Sequence, residues 1–305
     1  MKPIIVLLGP TATGKSSLAI DLAQVFQAEI ISADSRQVYT EFTIGSGKVL
    51  PSEMKSIPHH MINIKHIWEE FNVSQFQTMT QEILKNLHTH EILPFLVGGT
   101  GLYIDAVIKN YQIPPQEPNK DLREQLSHYS LSELQSILQN QYPERVFNTS
   151  DWNNPIRLIR AIEVLSSPLS LNTHPIPSPY APLYIGLSSS LDTIKNRIIK
   201  RVDARLNQGA IDEIIAIRAL LKDYVSHSEE ESILQSLGLG TVAICQFLDN
   251  TISFDRMRDR YIQSEYQYAR RQLTWFRKNS DIHWFESEDN TLLKNTSLLI
   301  KNFLK

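Results

Sequence analysis

Cysteine is almost missing from this 305-residue chain, Cys245 being the only one. Its rarity excludes a disulfide scaffold and any zinc site built from cysteine pairs. Cys245 lies in the apolar run Val242-Ala243-Ile244-Cys245, which predicts a buried thiol in a reducing, cytoplasmic compartment. Long hydrophobic runs are missing as well. No stretch approaches the roughly 20 apolar residues of a membrane span, so no membrane partner is expected. The first apolar run stops at Gly9, too short for a signal peptide in spite of Lys2. Nor is there an excess of charge. The formal charge is -3, which rules out a globally basic protein and confines any nucleic-acid surface to a local patch. His59 and His60 are adjacent, a poor spacing for two ligands of one ion, and no H-E-x-x-H accompanies them, so no zinc is expected.

The segment Ile4-Ile5-Val6-Leu7-Leu8 predicts a buried strand, and Leu18, Leu22, Val25 and Phe26 recur at helical spacing. Between them runs Gly9-Pro10-Thr11-Ala12-Thr13-Gly14-Lys15-Ser16, the strand–loop–helix setting that makes G-x-x-x-x-G-K-[ST] a phosphate cradle. Glycines let backbone N–H groups turn inward, and the helix N-terminus adds partial positive charge. Lys15 can reach outer phosphate oxygens, and the Ser16 hydroxyl can bind Mg2+. The loop leaves open whether the phosphates belong to a nucleotide such as ATP or to another diphosphate.

Further buried strands are predicted at Ala28–Ala33 and at Pro94–Gly98, the first ending at Asp34 and the second in Gly98-Gly99-Thr100-Gly101. Phe76–Leu87 has helical spacing. Strands alternating with helices predict a P-loop NTPase-like α/β core, a parallel sheet with helices on both faces. Prolines 114, 115 and 118, and then 168, 175, 177, 179 and 182, bracket a stretch with helix patterns at Leu122–Leu138 and Ile156–Leu165 and no strand signal. We therefore expect an all-helical domain at 114–182 inserted into a core of 1–113 and 183–305, the plainer alternative being two surface helices packed on the sheet. Leu183–Leu187 returns to strand character, Leu191–Leu221 and Met257–Lys278 are helical, and Ile282–Phe285 can supply a last strand.

Asp34 closes a strand on the sheet edge where the phosphate loop opens, the edge at which open α/β sheets bind ligands. A carboxylate there can accept a proton or hold Mg2+ through water, or it can simply cap a turn. Thr100 can donate to a phosphate, and its glycine neighbours allow close approach of a substrate or just a tight turn. Arg197, Arg201 and Arg205 share a helix face that could return over the phosphates or merely be solvated. From Arg256 to Lys278 seven cationic side chains stand against Asp259 and Glu265, interleaved with Tyr261, Tyr266, Tyr268, Trp275 and Phe276. That pattern suits an RNA surface, although the aromatics of a solvated helix would pack inward instead.

These motifs together resemble the bacterial tRNA dimethylallyltransferase (tRNA isopentenyltransferase) family. The matching segments are 9–16, Ile31–Tyr39, Pro58-His59-His60, Leu96–Tyr103, Asn154–Ala161 and Arg270–Arg277, in family order across nearly the whole chain. The resemblance implies transfer of a dimethylallyl group from its diphosphate to the N6 amine of the adenosine 3′ of the anticodon, in tRNAs reading codons that begin with U. It implies that Gly9, Pro10, Thr11, Ala12, Thr13, Gly14, Lys15 and Ser16 hold the diphosphate, with Ser16 on Mg2+. Asp34 would take the amine proton, and Thr100 and Arg201 would stabilise the leaving group. Asp34, Ser35, Arg36, Gln37, Thr100, Arg123, Arg157 and Arg160 would contact tRNA, as would Arg270, Arg271, Gln272, Trp275 and Arg277. The inserted domain would grip the anticodon stem-loop, the chain acting as a monomer. The sequence departs from the family at Ile156, where Gln is usual, at Gly45-Ser46-Gly47-Lys48-Val49 in place of G-T-A-K-P, and at Gly238-Leu239 in place of Gly-Tyr. Rival readings are a P-loop kinase of a nucleotide or small metabolite, an adenylate isopentenyltransferase, and a non-catalytic RNA-binding module.

Overall fold

Ile4, Val6 and Leu8 turn to one face of the first strand and Ile5 and Leu7 to the other, and all five are buried. A strand apolar on both faces belongs inside a parallel sheet covered on both sides. In the computed structural model it lies there. The structure describes residues 1–113, 119–144, 147–166 and 176–305; prolines 114, 115, 118, 168 and 175 lie outside them. The chain divides into two units, one of Met1–Asn110 with Pro177–Lys305 and one of Tyr111–Ile176.

In chain order the elements are β1 (Lys2–Leu8), α1 (Lys15–Phe26), β2 (Glu29–Ala33), β3 (His59–His60), α2 (Val73–Thr89), β4 (Pro94–Gly98) and α3 (Gly101–Ile108). The second unit holds α4 (Lys120–Ser127), α5 (Leu131–Gln141), α6 (Thr149–Trp152) and α7 (Pro155–Leu165). Then come β5 (Tyr180–Ser188), α8 (Leu191–Asn207), α9 (Ala210–Leu221), α10 (His227–Ser236), α11 (Leu239–Leu248), α12 (Phe254–Phe276), β6 (His283–Glu286) and α13 (Leu292–Phe303).

The sheet has the order β3-β2-β4-β1-β5-β6, every pair parallel. One face is covered by apolar residues of α2 and α3, the other by those of α1 and α13. Leu8 and Ala33 both pair with Gly98, which brings the chain segments leaving β1, β2 and β4 side by side. A further core joins α8, α9, α11 and α12 around Ile198, Val202, Ile214 and Leu273.

Several boundaries differ from the sequence reading. Tyr180-Ala181-Pro182, assigned to the proline linker, is strand paired with Lys2–Ile4. Pro182 is tolerated because β6 joins β5 only from Ile185 onward, so its missing N–H faces an unpaired edge. The helical run from Leu191 is two helices broken at Gly209, whose φ of 98° is left-handed. Leu122–Leu138 is likewise two helices, because Ser130 and Glu133 form a capping box that starts α5. Cys245 is only partly buried, and its surroundings push the thiol up to about 11, mainly through desolvation. Among the described residues no helix is long and apolar enough to cross a membrane.

The helical unit has its own apolar core of Leu126, Leu134, Leu138, Leu158 and Ile162. Beside it the Glu163 carboxylate is 5% exposed and accepts from Arg123 Nη2 at 2.7 Å, Arg160 Nη1 at 2.5 Å and the Asn119 N–H at 2.6 Å. Burial works against its charge, but the two arginines and the amide outweigh it and hold the carboxyl at about 2. Because the folded pKa is depressed, its stabilisation is present above the unfolded value and is lost as pH falls from about 4.5 to about 2. Glu163→Gln should therefore cost about 2–3 kcal/mol near pH 7, measured by urea unfolding followed by circular dichroism. The gap from the parent should close toward pH 2; a gap independent of pH would remove the carboxylate from this role.

Candidate active site at the carboxyl edge of the sheet

Three loops leave adjacent strands here: 9–14 after β1, 34–37 after β2 and 99–100 after β4. The first runs into α1 through Gly14, which is left-handed and carries no side-chain cap, so the first-turn N–H groups of α1 are available to an anion. Lys15 Nζ closes on the carbonyl of Pro10 at 2.7 Å. Burial lowers the Lys15 ammonium to about 7, with Arg201 adding to the effect and Asp34 opposing it. Asp34 Oδ1 accepts from the N–H groups of Arg36 at 2.8 Å and Gln37 at 3.4 Å, the turn-capping role weighed from the sequence. Its other oxygen has no hydrogen-bond partner among the described residues.

Helix α12 is laid across these loops. Gln272 Oε1 accepts from the Thr11 N–H at 2.8 Å, and its Nε2 donates to the Gly99 carbonyl at 2.9 Å. A Cβ on Gly99 would overlap that amide, and one on Gly101 would overlap the Trp275 indole. These glycines therefore make room for side chains of the same chain, not for a substrate. Tyr268, one turn before Gln272, shares a hydrogen bond with Thr100, and burial raises its hydroxyl above the ordinary tyrosine range. Thr100 Oγ1 also accepts from the Ser35 N–H at 3.3 Å. Thr100, expected on the leaving diphosphate, is thus committed to internal partners.

From α8, Arg201 Nη2 donates to Glu265 on α12 at 2.5 Å. Burial lowers the Arg201 guanidinium, and Arg205 adds to that. Arg197 holds the phosphate loop from outside, donating to the Ala12 carbonyl at 3.4 Å and to Ser287 at 2.8 Å. A cavity of about 260 Å³ is lined by Lys15, Ser16, Asp34, Arg201, Arg205 and Tyr268 among others. A second, of about 250 Å³, shares Asp34, Arg205 and Tyr268 with it and is reached by Arg36 and Arg271. One carboxylate thus faces both a cationic cavity and a neighbouring space of similar size.

A model of the IPP transferase family matches residues 37–279. A tRNA dimethylallyltransferase of Microcystis aeruginosa is 37% identical over 99% of this chain and 93% of its own length. One of Syntrophus aciditrophicus is 37% identical over 96% of this chain and 97% of its own. The chain belongs to the IPP transferase family. Among solved structures, a tRNA isopentenylpyrophosphate transferase of Bacillus halodurans is 31% identical with a TM-score of 0.71, covering 100% of this chain and 96% of that one. A eukaryotic dimethylallyltransferase acting on tRNA has the same fold, with a TM-score of 0.85 at 24% identity, over 100% of this chain and 80% of that one. The parallel α/β fold expected from the sequence is the family's fold.

The residues that the family resemblance assigned to tRNA are divided by the structure. Arg36 and Arg271 reach the second cavity, and Arg271 lies 5.8 Å over the Tyr268 ring. Arg270 and Arg277 are exposed. Ser35 uses its N–H on Thr100. Gln37 turns inward instead, accepting from Ser32 at 3.0 Å and lining the first cavity. Gln272 is 5% exposed and spends its amide on Thr11 and Gly99. Trp275 ties its indole N–H to Asp105 at 3.0 Å, leaving part of the ring exposed. Within the helical unit Arg157 is paired with Asp151, and Arg123 and Arg160 with Glu163. His60 pairs with Glu29 at 2.7 Å, and His59 meets the Ile57 carbonyl at 2.8 Å.

Sequence reading missed Tyr268 as a site residue and, though it named Gln272 for tRNA, missed its bridge between the two loops, because both roles depend on α12 crossing loops more than 160 positions away. Gln272→Leu keeps the volume and removes both hydrogen bonds, leaving the Thr11 N–H and Gly99 carbonyl unpaired. Urea unfolding should show a loss of about 2–3 kcal/mol. A loss below about 0.5 kcal/mol would mean that the bridge is dispensable.

Proposed function

We propose that this chain transfers a dimethylallyl group from dimethylallyl diphosphate to the exocyclic N6 amine of the adenosine 3′ of the anticodon, in tRNAs reading codons that begin with U. The observation that carries this reading is the single carboxylate, Asp34, facing a cavity that also holds Lys15 and Arg201. In the step, the amine nitrogen bonds to C1 of the dimethylallyl group while the C1–O bond breaks. The electron pair leaves with the diphosphate, and the amine proton passes to the free oxygen of Asp34. An exocyclic aromatic amine is a weak nucleophile, so a nearby carboxylate and cations around the departing charge are what the reaction needs. The adenosine must leave its stack to reach the second cavity, at a cost of a few kcal/mol. Arg36 and Arg271 line that cavity, and the exposed Arg270 and Arg277 would meet backbone phosphates. Arg123, Arg157 and Arg160 would have to share their present carboxylate partners to do the same.

Among the described residues no cluster of three or more His, Cys, Asp or Glu could hold a metal. The donors present, the Ser16 hydroxyl and the Asp34 carboxylate on one cavity, fit Mg2+ held mainly by diphosphate oxygens and water. Bound there, the ion would neutralise diphosphate charge.

Labelled dimethylallyl diphosphate, incubated with an anticodon stem-loop and followed by nucleoside analysis, tests the reaction directly. Asp34→Ala should lower turnover by at least about a hundredfold while keeping most of the tRNA affinity. Arg271→Ala should weaken tRNA binding and reduce its salt slope by roughly 0.7–0.9. ATP consumed in step with turnover would favour a kinase instead.

The lowered Lys15 ammonium predicts a proton linkage. At its value of about 7 it is partly neutral before binding, and a diphosphate favours the charged form. Diphosphate binding should therefore take up a proton near pH 7, and affinity should fall as pH rises above it. Calorimetry in buffers of different ionisation enthalpy reads the uptake, and Lys15→Ala should abolish it.

A further inference from the structure

Arg205 is 6% exposed, yet it lines both cavities. Its Nη1 donates to the Tyr261 hydroxyl at 3.3 Å and to Glu265 Oε2 at 3.5 Å, the same oxygen that takes Arg201. Two guanidinium groups one helical turn apart thus share one carboxylate. Among the described residues only three buried side-chain polar atoms lack a hydrogen-bond partner, and two of them are Nε of Arg201 and Nε of Arg205. Orphaned buried donors are rare, and each costs stability unless a ligand takes it up. Arg205 also fills the space beside Gly47, where an added Cβ would overlap its Nη2. Gly47 has a φ of +63°, in the left-handed region that favours glycine. Loop and arginine therefore fit each other. Lys15, Arg201 and Arg205 together face two carboxylates, Glu265 and Asp34, which leaves the cavity short of one negative charge.

We propose that Arg205 is a second guanidinium ligand of the diphosphate, acting beside Arg201, and that Gly47 is the residue that admits it. The inference rests on the reading of the first cavity as a diphosphate site. Arg201 and Arg205 present two planar forks in tandem, a geometry suited to adjacent phosphoryl groups. The shared Glu265 keeps both forks aligned before the anion arrives and limits their mutual repulsion.

The test uses the full chain and inorganic diphosphate, both as an inhibitor and in direct titration. Arg205→Met keeps the length and removes the charge. It should raise the inhibition constant and the KM for dimethylallyl diphosphate about tenfold or more, with little change in the KM for the stem-loop. Arg205→Lys should fall between Arg205→Met and the parent. Gly47→Ala should weaken diphosphate binding in the parent but add little on top of Arg205→Met. Lys15→Ala is the control for the site. If it weakens diphosphate binding while Arg205→Met stays within about twofold of the parent, Arg205 is not a ligand and the cavity reading stands. If neither variant changes diphosphate binding, the cavity reading falls and the inference with it. Should Arg205→Met fail to fold, an unchanged inhibition constant for Arg205→Lys overturns the proposal, and a raised one supports it.

Discussion

One side-chain amide holds the site together. Gln272 accepts from the phosphate loop at Thr11 and donates to the glycine turn at Gly99, so the segments that follow β1 and β4 are fixed to one point on α12. The roots of the two loops are also joined by the pairing of Leu8 with Gly98. The bridge explains why Gly99 has no side chain, since a Cβ would occupy the place of the amide. It also sets the orientation of α12. Tyr268 falls one turn earlier onto Thr100, Trp275 one turn later onto Gly101, and Glu265 reaches Arg201.

The sheet supplies the rest. Parallel strands leave at one edge, and the order β2-β4-β1 places three consecutive exits next to one another. Each exit brings one kind of chemistry: backbone N–H groups and Lys15 from β1, a carboxylate from β2, and close-packing glycines from β4. The cations that complete the site come from α8, after the return through β5. Loop chemistry is therefore carried by the first third of the chain and its electrostatic complement by α8, far along the sequence.

Much of this was legible in the sequence because it is local. The phosphate loop, Asp34 and the strands beside them are spelled by short contiguous segments whose neighbours decide their conformation. The apolar faces of β1 were legible for the same reason, and so were Leu18 and Leu22 of α1, although Val25, read on the same face, is exposed. What escaped depends on distant partners. The resemblance marks Gln272 as a tRNA contact, and only the fold places Thr11 and Gly99 on either side of it. The basic-aromatic pattern of α12 suited RNA along its whole length, yet Tyr261 and Phe276 are buried and Glu265 is spent on α8. The double role of a helix with one inward and one outward face is hidden in its composition. Short features also escaped: β3 has only two residues, and the break at Gly209 is a single left-handed position in an otherwise helical pattern.

The electrostatics of the first cavity decide what it is built for. Lys15 and Arg201 are both pushed toward neutrality, first by burial and then by a neighbouring guanidinium. Desolvated positive charge is costly, and an anion bound beside these groups would relieve it. Asp34 cannot fully relieve it, since one of its oxygens is committed to backbone amides. A diphosphate ester would relieve part of the strain on binding. As the carbon–oxygen bond breaks, further negative charge gathers on the departing oxygens, and the remaining strain is relieved there. On the proposed reaction, the cationic wall would therefore stabilise the leaving group more strongly than the bound ester, which is the condition for accelerating the step and not merely holding the substrate.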